Sequence, residues 1–489
     1  PPPPPPPRWY RRRQRQMCIR DRFSITLLPP VVIDIYYGED AGQAFFYSYL
    51  LLLATGFVLW LPVRNKRTEL RLRDGFVVVV MFWTVLGLAG SLPFLFYEPL
   101  TVSVSDAVFE SVSGLTTTGA TTFIGLDELP HSILFYRQEL QWLGGMGIIV
   151  LAVAVMPMLG IGGMQLYRAE APGPVKDSKL TPRIAETAKA LWYIYLGLTI
   201  ACALSYWIAG MNLFDAVCHS FSTVAIGGFS THDTSIGYFN SAAIEAVAIV
   251  FMFLGGINFA LHFVGMRSLN IMHYLKDSEL RMYASVLLAA SVSSIAYLYL
   301  HHDVPEPIEA IRQGLFHAVS IGTTAGFATT EFSAWPTFVP VMLLFASFIG
   351  GCAGSTGGGM KAIRVLLLIK QMQREMMRLI HPNAQVVVKV GRQPVNNAII
   401  NAVWGFFAAY VTCFAILMLL LMLDGYDQIT AFSAVAATIN NLGPGLGEVS
   451  ANYAGIDNFS KWLLCFSMLL GRLEIFTLLV MFMPAFWRK

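Results

Sequence analysis

The stretch SGLTTTGATT, residues 113–122, recurs in altered form three more times along this chain. Aligned on their glycines, the later copies read AIGGF at 225–229, TTAGF at 323–327 and NNLGP at 440–444. Successive copies lie about one hundred residues apart with a hydrophobic segment on either side, which is the signature of an internal repeat. The repeat predicts four copies of one helix–pore loop–helix unit.

The repeated glycines predict a cation-binding backbone. A lone glycine permits backbone angles that other residues resist. Four such segments around one axis can turn their carbonyl oxygens inward and replace the hydration shell of a cation, as the TVGYG loops of potassium channels do. The alternative is four unrelated glycine-containing loops between helices. On the first interpretation the cation-binding residues are Thr117, Thr118, Gly119, Ile226, Gly227, Gly228, Thr324, Ala325, Gly326, Asn441, Leu442 and Gly443.

The composition indicates a membrane protein. Of the 489 residues, 55% are hydrophobic and 13% are charged, an apolar excess that soluble domains rarely reach. Many segments have about 20 apolar residues, the length that crosses a bilayer as a helix. The six cysteines show no ligand spacing, so we interpret them as small buried hydrophobic residues.

The first 22 residues, a proline run followed by an arginine-rich run, fit nothing that follows them. They resemble neither a signal peptide nor a segment that could form a core. A basic arm for nucleic acid or lipid is one reading. We expect instead a non-native or artefactual leader, exclude it from the fold, and expect no nucleic-acid partner.

The positions of Lys and Arg orient the units. Basic residues concentrate in the loops at 64–73, 168–189, 267–281 and 370–392, whereas the filter-bearing loops hold almost none. The positive-inside rule places the basic loops in the cytoplasm, so all four units run in parallel. The predicted fold is an all-α polytopic membrane protein with these segments: a leading transmembrane helix pair at 23–73, and repeats at 74–190, 191–281, 282–397 and 398–489.

Residues 350–359, GGCAGSTGGG, interrupt the last hydrophobic segment of the third unit. Such a glycine-rich stretch holds a regular helix poorly, which predicts a flexible flap below the filter that blocks or admits ions. A phosphate-binding loop is excluded because the Walker pattern needs Gly-Lys before Ser or Thr, and Lys361 follows Met360. Close helix packing through small residues is the open alternative. The candidate gating residues are Gly350, Gly351, Gly354, Ser355, Thr356, Gly357, Gly358, Gly359, Lys361, Arg364 and Arg472.

Several charged residues lie in or near hydrophobic segments. Arg472 is expected to face a polar interior, either in a structural ion pair with Glu110 as candidate partner or with a direct role in conduction. Lys361 and Arg364 are expected to tie the flap to the inner surface or to repel cations. Arg137 and Glu139 are interpreted as interfacial anchors.

The residue types of a hydrolytic triad occur at Asp215, His219 and Ser220. They fall on consecutive turns of one short helix, which cannot readily build the geometry of nucleophile, base and orienting acid. We therefore predict that the chain is not an enzyme.

The motifs SGLTTTGAT, HSFSTVAIGGFSTHD, VSIGTTAGFATT and ATINNLGPGLGEV, together with IGGCAGSTGGGMK and GRLEIFTLL, resemble the TrkH family. These are the translocating subunits of bacterial Trk potassium-uptake systems, within the Trk/Ktr/HKT superfamily of cation transporters. The resemblance covers residues 23–489. It carries the family's filter glycines to Gly119, Gly228, Gly326 and Gly443, its gating loop to 350–359 and its late-helix arginine to Arg472.

The resemblance implies a homodimer in the bacterial inner membrane that admits potassium ions as substrate. It implies no cofactor in this chain, and control by a cytosolic TrkA-type partner that binds a nucleotide, ATP/ADP or NAD. The predicted function is potassium uptake down the electrochemical gradient through a four-loop filter. The alternatives are a symporter that couples potassium to protons or sodium, which the scarcity of carboxylates in the spans disfavours, and a scaffold protein without flux.

Overall fold

The computed structural model describes residues 24–61, 72–150, 180–301, 306–336, 338–391 and 393–488. The expected leader, most of the first basic loop, Lys176 and Lys179 of the second, and Arg392 lie outside this part of the chain. The described chain is helical apart from a small antiparallel hairpin, in which Lys389–Val390 (β1) pairs with Gln393–Pro394 (β2).

Two leading helices precede the repeats. They are Leu28–Tyr37 (α1) and Gly42–Trp60 (α2), joined at Gly38, which ends α1 with a φ of 71°. In α1, Asp34 is buried and accepts a hydrogen bond of 3.1 Å from the hydroxyl of Ser132 in the first unit. A buried polar contact therefore joins the leading helices to the first repeat.

Each of the four units contains a long helix, a short buried pore helix, an extended segment and a second long helix. The first unit comprises Leu72–Gly90 (α3), Leu92–Phe96 (α4), pore helix Val104–Leu115 (α5) and His131–Val150 (α6). The second comprises Leu180–Ile208 (α7), pore helix Leu213–Ala225 (α8), Ala242–Gly255 (α9) and Phe259–Ser268 (α10).

The third unit follows a short connecting helix, Met272–Lys276 (α11). It comprises Ser278–Leu300 (α12), pore helix Pro307–Thr323 (α13), Phe338–Ile349 (α14) and Ala362–Ile380 (α15). The fourth comprises Asn397–Leu423 (α16), pore helix Gln428–Ile439 (α17), Asn458–Arg472 (α18) and Phe476–Leu479 (α19), and the chain ends with Pro484–Trp487 (α20).

The pore helices begin at local capping signals. Ser103 and Asp106 form a reciprocal capping box at α5, Asn212 accepts from the Asp215 amide at α8, and Asp427 accepts from two amides at α17. These caps satisfy amides that a helix start leaves unpaired. At 12, 13, 17 and 12 residues, the pore helices are too short to span the ~30 Å hydrocarbon layer at ~1.5 Å per residue.

Within the described residues, four segments are long and apolar enough to cross a membrane, namely Asp74–Phe96, Ala188–Ile208, Ser278–Leu300 and Asn397–Leu423. Two further spans are bent pairs: α9 and α10 meet at 96°, and α18 meets the segment Phe476–Phe482 at 110°. The four-unit pattern, with its single interruption at 350–359, predicts an unbroken helix after the second and the fourth filter, and the structure breaks both of these spans. Asn258 caps α10 after the first break, and positive φ angles at Glu474 and Ile475 turn the chain at the second.

Charged contacts link neighbouring units around the molecule. Lys461 of α18 in the fourth unit pairs with Asp106 of pore helix α5 in the first at 2.6 Å. Glu245 of α9 in the second unit accepts two hydrogen bonds of 2.7 Å from Arg312 of pore helix α13 in the third. Both contacts join the second long helix of one unit to the pore helix of the next unit. The Lys461–Asp106 pair joins the fourth unit back to the first.

Candidate functional site

The four segments after the pore helices have the same backbone. We call residues 117–119, 226–228, 324–326 and 441–443 the filter segments. The first residue of each has a positive φ, at 53° for Thr117, 54° for Ile226, 71° for Thr324 and 52° for Asn441. The glycine that ends each segment also has a positive φ, between 81° and 100°.

One backbone hydrogen bond recurs in all four copies. The amide of the middle filter residue donates to a carbonyl five positions earlier in the pore helix. The four pairs are Thr118 to Ser113 at 2.8 Å, Gly227 to Ser222 at 2.8 Å, Ala325 to Ser320 at 2.8 Å, and Leu442 to Ala437 at 2.7 Å. The sequence repeat is therefore also a repeat of conformation, which four unrelated loops would not share.

The filter segments surround one axis. A Cβ added at Gly119 would lie 2.2 Å from the carbonyl oxygen of Gly227, and one added at Gly228 would lie 2.0 Å from that of Ala325. A Cβ at Gly326 would lie 2.0 Å from the Leu442 oxygen, and one at Gly443 would lie 2.7 Å from the Thr118 oxygen. Each glycine thus touches the next segment in order, and the fourth returns to the first.

Three carbonyl oxygens in this ring lack a partner. In the described part of the chain, the oxygens of Thr118, Ala325 and Leu442 accept no hydrogen bond, although all three residues are buried. A buried carbonyl normally finds a partner from protein or water. Among the described residues there is no cluster of three His, Cys, Asp or Glu side chains that could hold a metal.

The interrupted helix of the third unit lies against the inner ends of the pore helices and filter segments. The amide of Gly358 donates to the Thr324 hydroxyl at 2.7 Å, and the amide of Gly359 donates to the Asn440 carbonyl at 3.1 Å. The Thr356 hydroxyl donates to the Val224 carbonyl at 2.9 Å. Residues 350–359 therefore contact the second, third and fourth units at once.

The interruption is a tightly packed turn. Gly350, Gly354 and Gly359 have positive φ angles of 65°, 73° and 72°. A Cβ added at Gly358 would lie 1.8 Å from the Asn440 oxygen. The Ser355 hydroxyl donates to the Cys352 carbonyl at 2.6 Å. Glycine is thus required for the backbone angle at Gly350, Gly354 and Gly359 and for space at Gly358. The stretch both interrupts the helix and packs closely against its neighbours.

Arg472 closes the remaining side of this turn. It is 2% exposed, and it donates hydrogen bonds of 3.0 Å to the carbonyls of Thr356 and of Gly144 in the first unit. The expected pairing with Glu110 is wrong, because Glu110 is engaged by Arg137. The Arg472 charge is therefore held by backbone oxygens below the filter, between the glycine-rich turn and α6.

The two other cations of this region point inward. The Lys361 ammonium is buried and donates to the Gly357 carbonyl. Arg364 forms an ion pair with Glu474 after α18, and its guanidinium lies 4.2 Å from the centre of the Phe406 ring. Lys361 thus holds the turn to itself, and Arg364 holds it to the fourth unit.

A small cavity lies among these groups. Its volume is about 20 Å³, which is about the space that one water occupies. The lining includes the turn residues Gly357, Gly358 and Gly359, the cations Lys361 and Arg472, and the filter residue Asn441. The space enclosed by these groups therefore holds roughly one water.

Arg137 and Glu110 form a buried ion pair outside the filter segments, which the sequence analysis did not predict. Arg137 and Glu110 are 1% and 0% exposed, and Arg137 Nε donates to Glu110 at 2.7 Å. Arg137 also donates to the carbonyl of Ser230 at 3.0 Å, and Glu110 accepts the Thr122 amide at 2.9 Å. The pair thus joins the segments that leave the first and second filters. The interpretation of Arg137 and Glu139 as interfacial anchors is wrong, since Glu139 is also buried.

The triad residue types are separated in the structure. The His219 ring contacts the Ser230 hydroxyl and the Asp215 backbone carbonyl, both at 2.9 Å, and the Ser220 hydroxyl donates to the Val217 carbonyl. Ser220 and His219 are therefore not joined as nucleophile and base, in agreement with the expectation from their spacing.

A second repeat in the sequence was overlooked. Leu143-Gly144-Gly145, Leu254-Gly255-Gly256, Ile349-Gly350-Gly351 and Leu470-Gly471-Arg472 occupy corresponding positions in the second long helices. The helices of the second, third and fourth units end within or directly after these tripeptides, at Gly255, Ile349 and Arg472. Arg472 thus stands where the other units have a glycine. This tripeptide pattern could have predicted the helix breaks of the second and fourth units and the position of Arg472.

Comparison with known proteins agrees with this geometry. Residues 41–489 match the TrkH family, whose description is cation transport protein. The chain belongs to the TrkH family. It is 58% identical over 469 residues to the Trk system potassium uptake protein TrkH of Vibrio parahaemolyticus, covering 96% of this chain and 97% of the relative. It is 54% identical over 467 residues to the TrkH of Escherichia coli K12, with the same coverage.

A solved structure has the same fold. The crystal structure of the potassium transporter TrkH from Vibrio parahaemolyticus superposes with a TM-score of 0.90 at 54% identity, covering 96% of this chain and 99% of that one. The predicted all-α polytopic membrane fold is confirmed. The prediction that the chain is not an enzyme is confirmed as well, since its family is one of cation transporters.

The Glu110–Arg137 pair gives a stability prediction. Glu110→Gln leaves the Arg137 charge buried without its counter-charge, which typically costs about 3–5 kcal/mol. The double change Glu110→Gln/Arg137→Gln removes both charges and is expected to cost less than the single change. Thermal unfolding of the purified variants in detergent ranks their stabilities. A double variant at least as unstable as Glu110→Gln would contradict the prediction.

The outer loop after the second filter gives a pH prediction. His232 lies between the carboxylates of Asp127 and Asp215, the latter at 3.2 Å, and stacks on Tyr238 with ring centres 3.5 Å apart. Burial alone would lower the His232 pKa, but the hydrogen bonds and charges of the two carboxylates outweigh it and raise the pKa above its ordinary 6.5.

A raised pKa means that protonated His232 stabilises the folded chain below about pH 6.5 and that this contribution is lost as pH rises through the folded value. We expect His232→Gln to lower the unfolding temperature at pH 6 and to have a smaller effect at pH 9. Equal losses at both pH values would contradict a charged His232.

Proposed function

We propose that this protein takes up potassium through the ring of filter segments, in the manner of a channel. The observation that carries the proposal is the closed ring of glycine-to-carbonyl contacts, with buried oxygens that have no partner in the chain. Such oxygens can replace the water that a potassium ion loses on entry. The relatives' names, potassium uptake protein and potassium transporter, support potassium as the substrate.

The gate in this proposal is the turn at 350–359 with Arg472. The guanidinium beneath the filter repels a cation that leaves it, and the turn narrows the path mechanically. Opening requires loss of the contacts from Thr356, Gly358 and Gly359 to the filter region. A partner drives that change if it binds the open and closed conformations with different affinities.

The setting proposed for this activity is the bacterial inner membrane, with two copies of the chain forming a dimer. A cytosolic TrkA-type protein that binds ATP/ADP or NAD controls the gate. The support is the family membership and the relatives' description as parts of a Trk system. Coupled symport with protons or sodium is the competing mode, and potassium flux into liposomes under an imposed pH or sodium gradient separates the two.

The first prediction of this proposal tests the filter. Gly119→Ser places a Cβ against the Gly227 carbonyl and strains a φ of 82°. We expect lower potassium uptake or a lower potassium-to-sodium ratio, and the same result from Ser at Gly228, Gly326 and Gly443. The measurement is ion uptake into cells that lack other potassium-uptake systems.

The matched control is Gly125→Ser, a few residues beyond the first filter segment. Gly125 has a similar φ of 71°, but a Cβ there meets nothing within 4 Å. It imposes the same type of backbone strain without touching the ring. Filter variants in which both the potassium uptake and the potassium-to-sodium ratio are unchanged, or an equal change in Gly125→Ser, would contradict the filter assignment.

The second prediction tests the gate. Removal of residues 353–357 eliminates the contacts of Thr356 with Val224 and Arg472. We expect faster potassium flux from liposomes and weaker dependence on the regulatory partner. If the shortened chain folds and conducts no faster than the parent, the turn serves packing and not gating.

The third prediction concerns regulation. Since the proposed nucleotide site lies on the partner, the purified chain alone should not bind ATP, ADP or NAD at micromolar concentrations in equilibrium dialysis. Tight binding by the isolated chain would contradict a separate regulator, and the addition of the partner should restore nucleotide binding to the complex.

A further inference from the structure

One filter segment is held from behind by a side chain of the preceding unit. Gln141 lies on α6 of the first unit and is 0% exposed. Its Nε2 donates to the Gly227 carbonyl at 2.7 Å, and its Oε1 accepts the Phe229 amide at 3.2 Å. The amide group of one glutamine thus brackets Gly228, the filter glycine of the second unit.

The sequence of the second filter is adapted to this side chain. Its middle residue is Gly227, whereas the other units have Thr118, Ala325 and Leu442 at that position. Gly227 is not among the residues with positive φ, so its backbone angle does not require glycine. A Cβ there would lie 2.4 Å from Cδ and Oε1 of Gln141. The missing side chain provides the space that Gln141 fills.

The Gln141 contact makes the Gly227 carbonyl chemically different from the three corresponding carbonyls of the ring. In the described residues, the Gly227 carbonyl accepts a side-chain hydrogen bond, whereas those of Thr118, Ala325 and Leu442 accept none. A carbonyl that already accepts a hydrogen bond is fixed in direction, and one of its two lone pairs is occupied. The orientation of this ligand toward a cation therefore depends on the Gln141 amide.

We propose that Gln141 is a positioning residue that sets the potassium-to-sodium selectivity of the filter. The proposal rests on the filter function proposed above. Gln141 holds the Gly227 carbonyl and the Phe229 amide at a fixed separation, which limits how far the second segment can contract around a smaller ion. Arg137, one turn earlier on the same helix, holds Ser230, two residues beyond that segment, so α6 restrains the second filter segment and the chain that leaves it.

The test compares two glutamines on the same helix. Gln141→Met keeps a side chain of similar volume but removes both hydrogen bonds to the filter backbone. Gln138→Met makes the same chemical change at a residue that is equally buried but bonds to the Ser222 hydroxyl of pore helix α8. Potassium and sodium uptake rates are measured in cells that lack other potassium-uptake systems and express the full chain with its regulatory partner.

We expect Gln141→Met to lower the potassium-to-sodium ratio by a factor of about five or more, since one net hydrogen bond corresponds to about fivefold and the variant loses two, with a smaller change in the maximal potassium rate. Gln138→Met removes a hydrogen bond that does not reach a filter carbonyl and should leave the ratio unchanged. An unchanged ratio in Gln141→Met, or an equal fall in Gln138→Met, would overturn the proposal. Failure of the unaltered chain to take up potassium would instead overturn the proposed function.

A second variant pair tests the shape argument without depending on flux. Gly227→Ala should lower the yield of folded chain because the added Cβ meets Gln141. Gln141→Ala/Gly227→Ala removes that obstacle and should recover folded protein, measured by size-exclusion chromatography in detergent, while the ratio in cells stays low. A double variant that folds no better than Gly227→Ala would show that Gln141 does not occupy this space.

Discussion

The close contact between each filter glycine and the carbonyl of the next unit is the constraint on which the architecture depends. Such contacts, with an added Cβ only 2.0–2.7 Å from a backbone oxygen, leave no room for a side chain. Four segments can meet in this way only if the units stand in parallel around one axis. The short buried pore helices satisfy this requirement because each delivers its C-terminal end to the centre.

The second long helices must approach the C-terminal ends of the pore helices closely, and glycine permits this approach. A Cβ at Gly144 would lie 1.8 Å from the Leu115 oxygen, and one at Gly471 would lie 2.1 Å from the Ile439 oxygen. The residue that follows is glycine in three units and Arg472 in the fourth. Replacing a glycine by arginine at this level places a charge directly below the filter, where the glycine-rich turn supplies the carbonyl that binds it.

Buried charges stabilise the pseudo-symmetric ring where neighbouring units differ. Glu110 and Arg137 connect the first and second filters, and Lys461 and Asp106 connect the fourth unit to the first. A charge in a membrane segment is costly unless it is paired, so each of these groups fixes its partner's position. Gln141 does the same with an uncharged amide. The filter is therefore a ring of four similar backbones held by different side chains.

The sequence by itself determined the membrane class, the four units, the positions of the filter glycines and the interrupted helix of the third unit. These features follow from local properties: the length of apolar segments, the backbone angles open to glycine and the cost of glycine in a helix. The tertiary structure decided the partners of Arg472, Arg137 and Gln141 and the bends after α9 and α18. Arg472 meets Gly144 across 328 positions, and such a contact depends on which helix faces come together, which no local pattern encodes.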